Sequence, residues 1–362
     1  MTLDPLKATF SLVILMIAIL PNATLGKDFK AVLVRGALPS EDAAFIDALK
    51  RSVISAGYEV TCLSSTQLVD SPNLDADLLV LSDSSTIPAK SASTIEKFLR
   101  KGKNIIALNT PLWHSPTIRW GDRWVTTEKY EVAKANQLPE HVLFDFKNVD
   151  LSSLQESNHP DDTASYRKVP DGPGGSYALH AIVDNHQGWN TLLSPDLKNP
   201  FPEGHTLTVF AAKGSSRTCQ LEIEWMENDG SRWIAVIPLS TQWRWYVLQP
   251  SDFKYWPSNP NRGGKGDSFQ PQNAKRLSFG LAFSHTGAIG GRHEYWIGPI
   301  GTSKLTSEYA EYLQARSIPA LDILSPEYKF FEITNAVTIQ ARAAQFLASI
   351  GRLSLPKSMY SP

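Results

Sequence analysis

Residues 220–248 read QLEIEWMENDGSRWIAVIPLSTQWRWYVL, and this stretch sets the fold class of the larger part of the chain. Leu221, Ile223 and Trp225 alternate with Glu222 and Glu224, the period of a strand with one apolar face. Asn228-Asp229-Gly230 follows, a hairpin signal because its glycine accepts a positive φ. Trp233–Leu239 and Trp243–Leu248 are two further runs of the same kind. Working outward, Val142–Phe146, Thr206–Ala211, Arg276–Phe283 and Glu294–Ile297 repeat the character, with Gly, Pro, Asn and Ser clusters between them. Short strands with regular turn punctuation predict an all-β sandwich, of the jelly-roll kind, over residues 141–303. Within it, Trp243, Trp245 and Val247 form the more apolar set and are expected to face inward, leaving Arg244 and Tyr246 outward.

The period is different before residue 110. Ala31–Arg35, Tyr58–Leu63, Asp77–Leu81 and Asn104–Leu108 are apolar strand signals. Between them, Ala44, Phe45, Ala48, Leu49 and Val53, and later Ile95, Phe98 and Leu99, recur at helical spacing. Strand and helix alternating with short loops predict an α/β domain with a parallel, flavodoxin-like sheet over 27–110. Gly36-Ala37-Leu38-Pro39 follows the first strand, and this is no glycine-rich phosphate loop. Residues 111–140 form a bridge carrying Trp113, His114, Trp120, Arg123 and Trp124. They read either as packing or as a ligand surface. Residues 304–362 form a short helical C-terminal tail.

The chain has 362 residues, with 35 Lys and Arg against 36 Asp and Glu. That balance argues against nucleic acid as a partner, since phosphate binding needs a basic surplus. Two cysteines, Cys62 and Cys219, exclude a disulfide scaffold and a multi-cysteine metal site. Lys7 precedes the apolar run Phe10–Leu20, and small residues follow to Gly26. The run is shorter than the roughly 20 residues a membrane crossing needs, so residues 1–26 read as a signal peptide. The mature protein is then expected to be secreted or periplasmic, with no membrane span after cleavage.

Two resemblances add to this. The order of strands and helices, with DLLVLSDSSTIP and KGKNIIALNTPLW, resembles the class I glutamine amidotransferase-like domains, more narrowly the non-catalytic type attached to secreted bacterial glycoside hydrolases. That family's enzymes carry a cysteine after the strand that here reads IIAL, where this chain has Asn109-Thr110. The resemblance therefore implies a catalytically dead domain, for without a thiolate no glutaminyl thioester forms. Residues 222–256 with PQNAKRLSFGLAFSHT and HEYWIGPI resemble the galactose-binding-like sandwiches of carbohydrate-binding modules. That implies a carbohydrate ligand, and a homo-oligomer or a glycoside hydrolase as partner.

A sugar needs an aromatic ring for its apolar face and paired donors and acceptors for its hydroxyls. The long loop after Asp252 supplies Tyr255, Trp256, Asn259, Arg262 and Asp267, and loops over a rigid sandwich commonly bind ligands. Arg244, Tyr246, His293 and Trp296 complete the ligand-binding candidates. Glu222 and Glu224, on one strand face about 7 Å apart, are acid and base candidates for a glycosidase. No catalytic residue is assigned to the preferred reading. No cofactor or metal ligand set is expected, since His285 and His293 lack metal-like spacing. A structural calcium on loop oxygens stays open. The reading is an exported accessory protein in polysaccharide recognition. A glycoside hydrolase, or a shortened relative of one, and a scaffold for oligomer assembly are the alternatives.

Overall fold

The computed structural model describes residues 29–38, 43–108, 112–287, 290–320 and the backbone of 332–333. The expected signal peptide, the Asn109-Thr110 position and the second tail helix lie outside them. The chain divides into two compact units, 1–127 with 311–362, and 128–310.

In the first unit, β1 (Phe29–Val34), β2 (Tyr58–Leu63), β3 (Leu78–Leu81) and β4 (Asn104–Leu108) form a parallel sheet in the order β4-β3-β1-β2, with Glu332–Ile333 parallel beside β4. Two apolar clusters cover its faces. One joins Val34, Leu79 and Leu81 to Ile95 and Phe98, and the other joins Leu33 and Val80 to Ile46, Leu49 and Val53. Strands buried on both faces read as continuous apolar runs, which is why LLVL at 78–81 is fully buried. The tryptophan-rich stretch makes a small hairpin, β5 (Thr117–Trp120) with β6 (Arg123–Thr126). Trp113 is buried there and Trp124 donates its indole hydrogen to Thr66 Oγ1 at 3.1 Å. These two rings serve packing.

The second unit is a sandwich of two six-stranded sheets. Sheet one runs β15 (Arg244–Leu248), β12 (His205–Gly214), β18 (His293–Lys304), β10 (Ala178–Asp184), β9 (Thr163–Val169), with β7 (His141–Phe144) paired to β18. Sheet two runs β16 (Lys254–Trp256), β14 (Arg232–Pro238), β13 (Gln220–Glu227), β17 (Ala274–Ala282), β11 (Trp189–Leu193), β8 (Gln155–Asn158). Leu221, Ile223, Trp225, Trp233 and Phe279 from sheet two meet Leu179, Phe210, Tyr246, Tyr295 and Ile297 from sheet one. Fully burying each such side chain contributes about 1.5–3 kcal/mol. Trp225 also donates its indole hydrogen to Thr208 Oγ1 at 2.9 Å across the core.

The inward set of β15 is the reverse of the expectation. Tyr246 and Leu248 belong to the sandwich core, while Trp245 and Val247 lie on the other side of the strand and are equally buried. Leu207, Val209 and Ala211 on the outer side of β12 are buried too. Where both faces are covered, apolar character no longer marks the core face.

Candidate functional site

The outer face of sheet one opens at one end, and there the register lines up polar and aromatic side chains. Lys213 of β12 pairs across from Trp296 of β18. Trp296 pairs with His180 of β10, and His180 with Arg167 of β9. Because Phe210, Ala212, Tyr295, Ile297, Leu179 and Ala181 point into the core, the row of alternate residues points out. Trp243, just before β15, continues it, with Lys213 Nζ 5.0 Å from the centre of its ring and 5.0 Å from that of Trp296. Five positions at strand spacing span about 19 Å.

The row is held rigidly. The His180 and Trp296 rings stack at 4.3 Å with planes 10° apart. Arg167 Nε lies 3.0 Å from His180 Nδ1 and can only donate, so Nδ1 accepts. His180 Nε2 then carries the proton and donates to Glu294 Oε2 at 3.0 Å. Burial pushes the His180 imidazole below its ordinary value, consistent with this neutral tautomer. Burial raises Glu294, but the hydrogen bonds from His180 and Arg292 outweigh it and hold the carboxyl below the usual range. Arg167 and Arg292 are exposed, and Lys213 is paired with Asp171 at 3.3 Å. Trp243 and Trp296 are half-buried. The face thus offers two indoles with guanidinium and ammonium donors along one line, and the Glu294 and Asp171 carboxylates as acceptors beside it.

Of the residues expected from sequence, Trp296 sits in this row. Tyr246 is a core residue whose hydroxyl donates to the Pro238 carbonyl at 2.6 Å. Arg244 pairs with Glu128 and Glu131. His293 is buried, its Nδ1 3.3 Å from Thr218 Oγ1 and its Nε2 3.2 Å from the Gly290 carbonyl. In the long loop, the Tyr255 ring packs on Trp233, and its hydroxyl accepts from the Ser258 and Asn259 amides. Asn259 Nδ2 donates to the Asp229 carbonyl. Arg262 bridges Glu227, Asp229 and Asp267, whose carboxyl is held down at about 2, chiefly by the hydrogen bond from Arg262. These contacts fix the loop to its own sheet.

Glu222, Glu224 and Trp256 lie on the outer face of sheet two. Glu224 accepts from both Arg232 Nε and an Arg232 terminal nitrogen, at 2.8 and 2.6 Å. Burial still pushes its carboxyl up. Trp243, Lys213, His180 and Arg167 were not singled out as ligand groups from sequence. Each is an ordinary polar or aromatic residue in its own strand, and only cross-strand register unites them. Among the described residues, no three His, Cys, Asp or Glu side chains are grouped to hold a metal ion.

No protein-family model matches the chain, and no curated protein matches it. Solved structures do. A family 11 carbohydrate-binding module from Clostridium thermocellum, in complex with a β-1,3-1,4-mixed-linked tetrasaccharide, is 13% identical with a TM-score of 0.37, covering 46% of this chain and 97% of that one. TmCBM61 in complex with β-1,4-galactotriose is 10% identical with a TM-score of 0.31, covering 46% and 99%. An exo-β-agarase is 14% identical with a TM-score of 0.34, covering 48% of this chain and 27% of that one.

Proposed function

We propose that the sandwich is a carbohydrate-binding module and that it binds an oligosaccharide along the row Trp243, Lys213, Trp296, His180 and Arg167. The observation that carries this is the row itself. Its indoles give apolar sugar faces a surface to stack on, Lys213 and Arg167 donate to hydroxyls, and Glu294 and Asp171 beside the row accept from them. Its length suits several sugar rings rather than one. The fixed stack of His180 on Trp296 reduces the ordering cost of binding.

The first unit fits the same reading as a non-catalytic amidotransferase-like domain. The strand order β2-β1-β3-β4 is that of flavodoxin-like sheets. Export, with the protein secreted or periplasmic, follows from the apolar run at Phe10–Leu20. No helix among the described residues is long and apolar enough to cross a membrane. Affinity electrophoresis in gels containing mixed-linkage β-glucan, β-1,4-galactan or agarose tests the proposal. At least one polymer retards the protein, Trp296→Ala abolishes the retardation, and no reducing sugar is released. Unretarded migration in every gel, or retardation untouched by Trp296→Ala, overturns it.

A further inference from the structure

The outer face of sheet two carries a second constellation, independent of the row on sheet one. β17 ends at Ala282 and the chain turns through the short helix Phe283–Thr286, which packs over β13 and β17. This brings His285 onto the outer side of Glu222, with Nδ1 2.9 Å from Glu222 Oε2, and against Trp256 with ring centres 4.7 Å apart. Arg232, paired across from Trp256, carries its guanidinium to Glu224, only 3% exposed. Trp256 itself is 37% exposed.

The two carboxylates are held unequally: Glu222 faces His285 at 2.9 Å without a hydrogen bond to its Oε2, whereas Glu224 has a guanidinium. Arg232 neutralises Glu224 through two hydrogen bonds. Glu222 is 2% exposed, and its Oε2 accepts no hydrogen bond. The neighbouring His285 nitrogen is near enough for an ion pair but out of line for a hydrogen bond, and it also lies 3.1 Å from Ser284 Oγ. A buried carboxylate oxygen without a hydrogen-bond donor is costly, so a group that supplied one here would be favoured. What would satisfy it is a hydroxyl, with a second hydroxyl accepting from Arg232 and an apolar ring face against Trp256.

We infer that this face is a second carbohydrate site, taking a neutral pyranose with His285 displaced from Glu222, so that one sandwich holds two glycan segments on opposite sheets. The inference deepens the carbohydrate reading and rests on it. Two sites facing away from each other bridge two polymer chains, and where both segments belong to one connected network avidity exceeds either single affinity.

Isothermal titration of the full chain with the mixed-linkage β-glucan tetrasaccharide, β-1,4-galactotriose and an agaro-oligosaccharide tests it. Wild type binds two equivalents of at least one probe. Trp256→Ala and Trp296→Ala each bind one, and Glu222→Gln, which keeps the side-chain volume, weakens one site at least tenfold and spares the other. One equivalent in wild type, lost in Trp296→Ala and unchanged in Trp256→Ala and Glu222→Gln, overturns the second site and leaves the first. One equivalent lost only in Trp256→Ala overturns the first and leaves the second. No heat with any probe overturns both.

Discussion

Removing the Arg262 guanidinium should destabilise the sandwich strongly. Glu227 is fully buried, and three groups satisfy its carboxylate: the Ser231 hydroxyl, the Gln270 amide at 2.7 Å and Arg262. Arg262 is the only cation among them. It also reaches Asp229 and Asp267 and lies over the Trp233 ring at 5.3 Å. In Arg262→Met the hydrophobic stem remains and the charge goes, leaving a buried carboxylate unpaired. Breaking a buried pair from one side costs about 3–5 kcal/mol. With an m-value of about 3 kcal/mol per molar, the urea midpoint of the sandwich falls by about 1–1.7 M. Tryptophan fluorescence follows it, since Trp233 is both buried and in contact with Arg262. Adding Glu227→Gln removes the stranded charge and recovers more than half of the loss. A midpoint shift below about 0.3 M in Arg262→Met would show that Arg262 does not stabilise Glu227. If glycan retention vanished at the same time, Arg262 would belong to ligand binding instead.

Two other predictions concern the sandwich. Burial holds both His180 and His293 below the ordinary histidine value, so the unfolded chain takes up more protons than the fold below about pH 6.5. Their contribution to stability is complete above that pH and is lost as pH falls toward their depressed folded values. Glu224, pushed up by burial, acts with the opposite sign. Urea midpoints at pH 7.5 and 5 should therefore differ less in the double variant His180→Gln, His293→Gln than in wild type, and an equal difference refutes the assignment. At Gly280 a Cβ would lie 2.2 Å from the Asn190 carbonyl oxygen and 2.7 Å from Thr191 Cα. Both are backbone atoms that can yield only by moving β11. Gly280→Ala should cost about 1–3 kcal/mol in the same unfolding assay, and a change under about 0.5 kcal/mol contradicts the packing described.

What the sequence made legible follows from periodicity. Alternation in Leu221, Ile223 and Trp225 marked the core face of β13 correctly, because over 221–225 the carboxylates Glu222 and Glu224 fall on the other face. The same rule failed on β15, where Trp245 and Tyr246 are both buried and Arg244, paired with Glu128 and Glu131 at the strand's start, lies on the Tyr246 side. Glu222 and Glu224 do lie away from the core. A solvated surface does not follow, since Arg232 and His285 come from a neighbouring strand and from a turn that folds back over the sheet. The long loop shows the converse. Tyr255, Asn259, Arg262 and Asp267 look free in sequence, whereas hydrogen bonds over short separations tie them to one another and longer-range ones tie Asn259 and Arg262 to Asp229. The row on sheet one needs residues 167, 180, 213, 243 and 296 side by side, and register between distant strands has no local signature.

The indole N–H resonances of the protein labelled with nitrogen-15, followed during titration with the retained oligosaccharide, report whether sugar lies along the row on sheet one. The Trp296 and Trp243 signals should move with ligand while those of the buried Trp225, Trp233 and Trp245 stay in place. Saturable binding that leaves both Trp296 and Trp243 unmoved would contradict that placement.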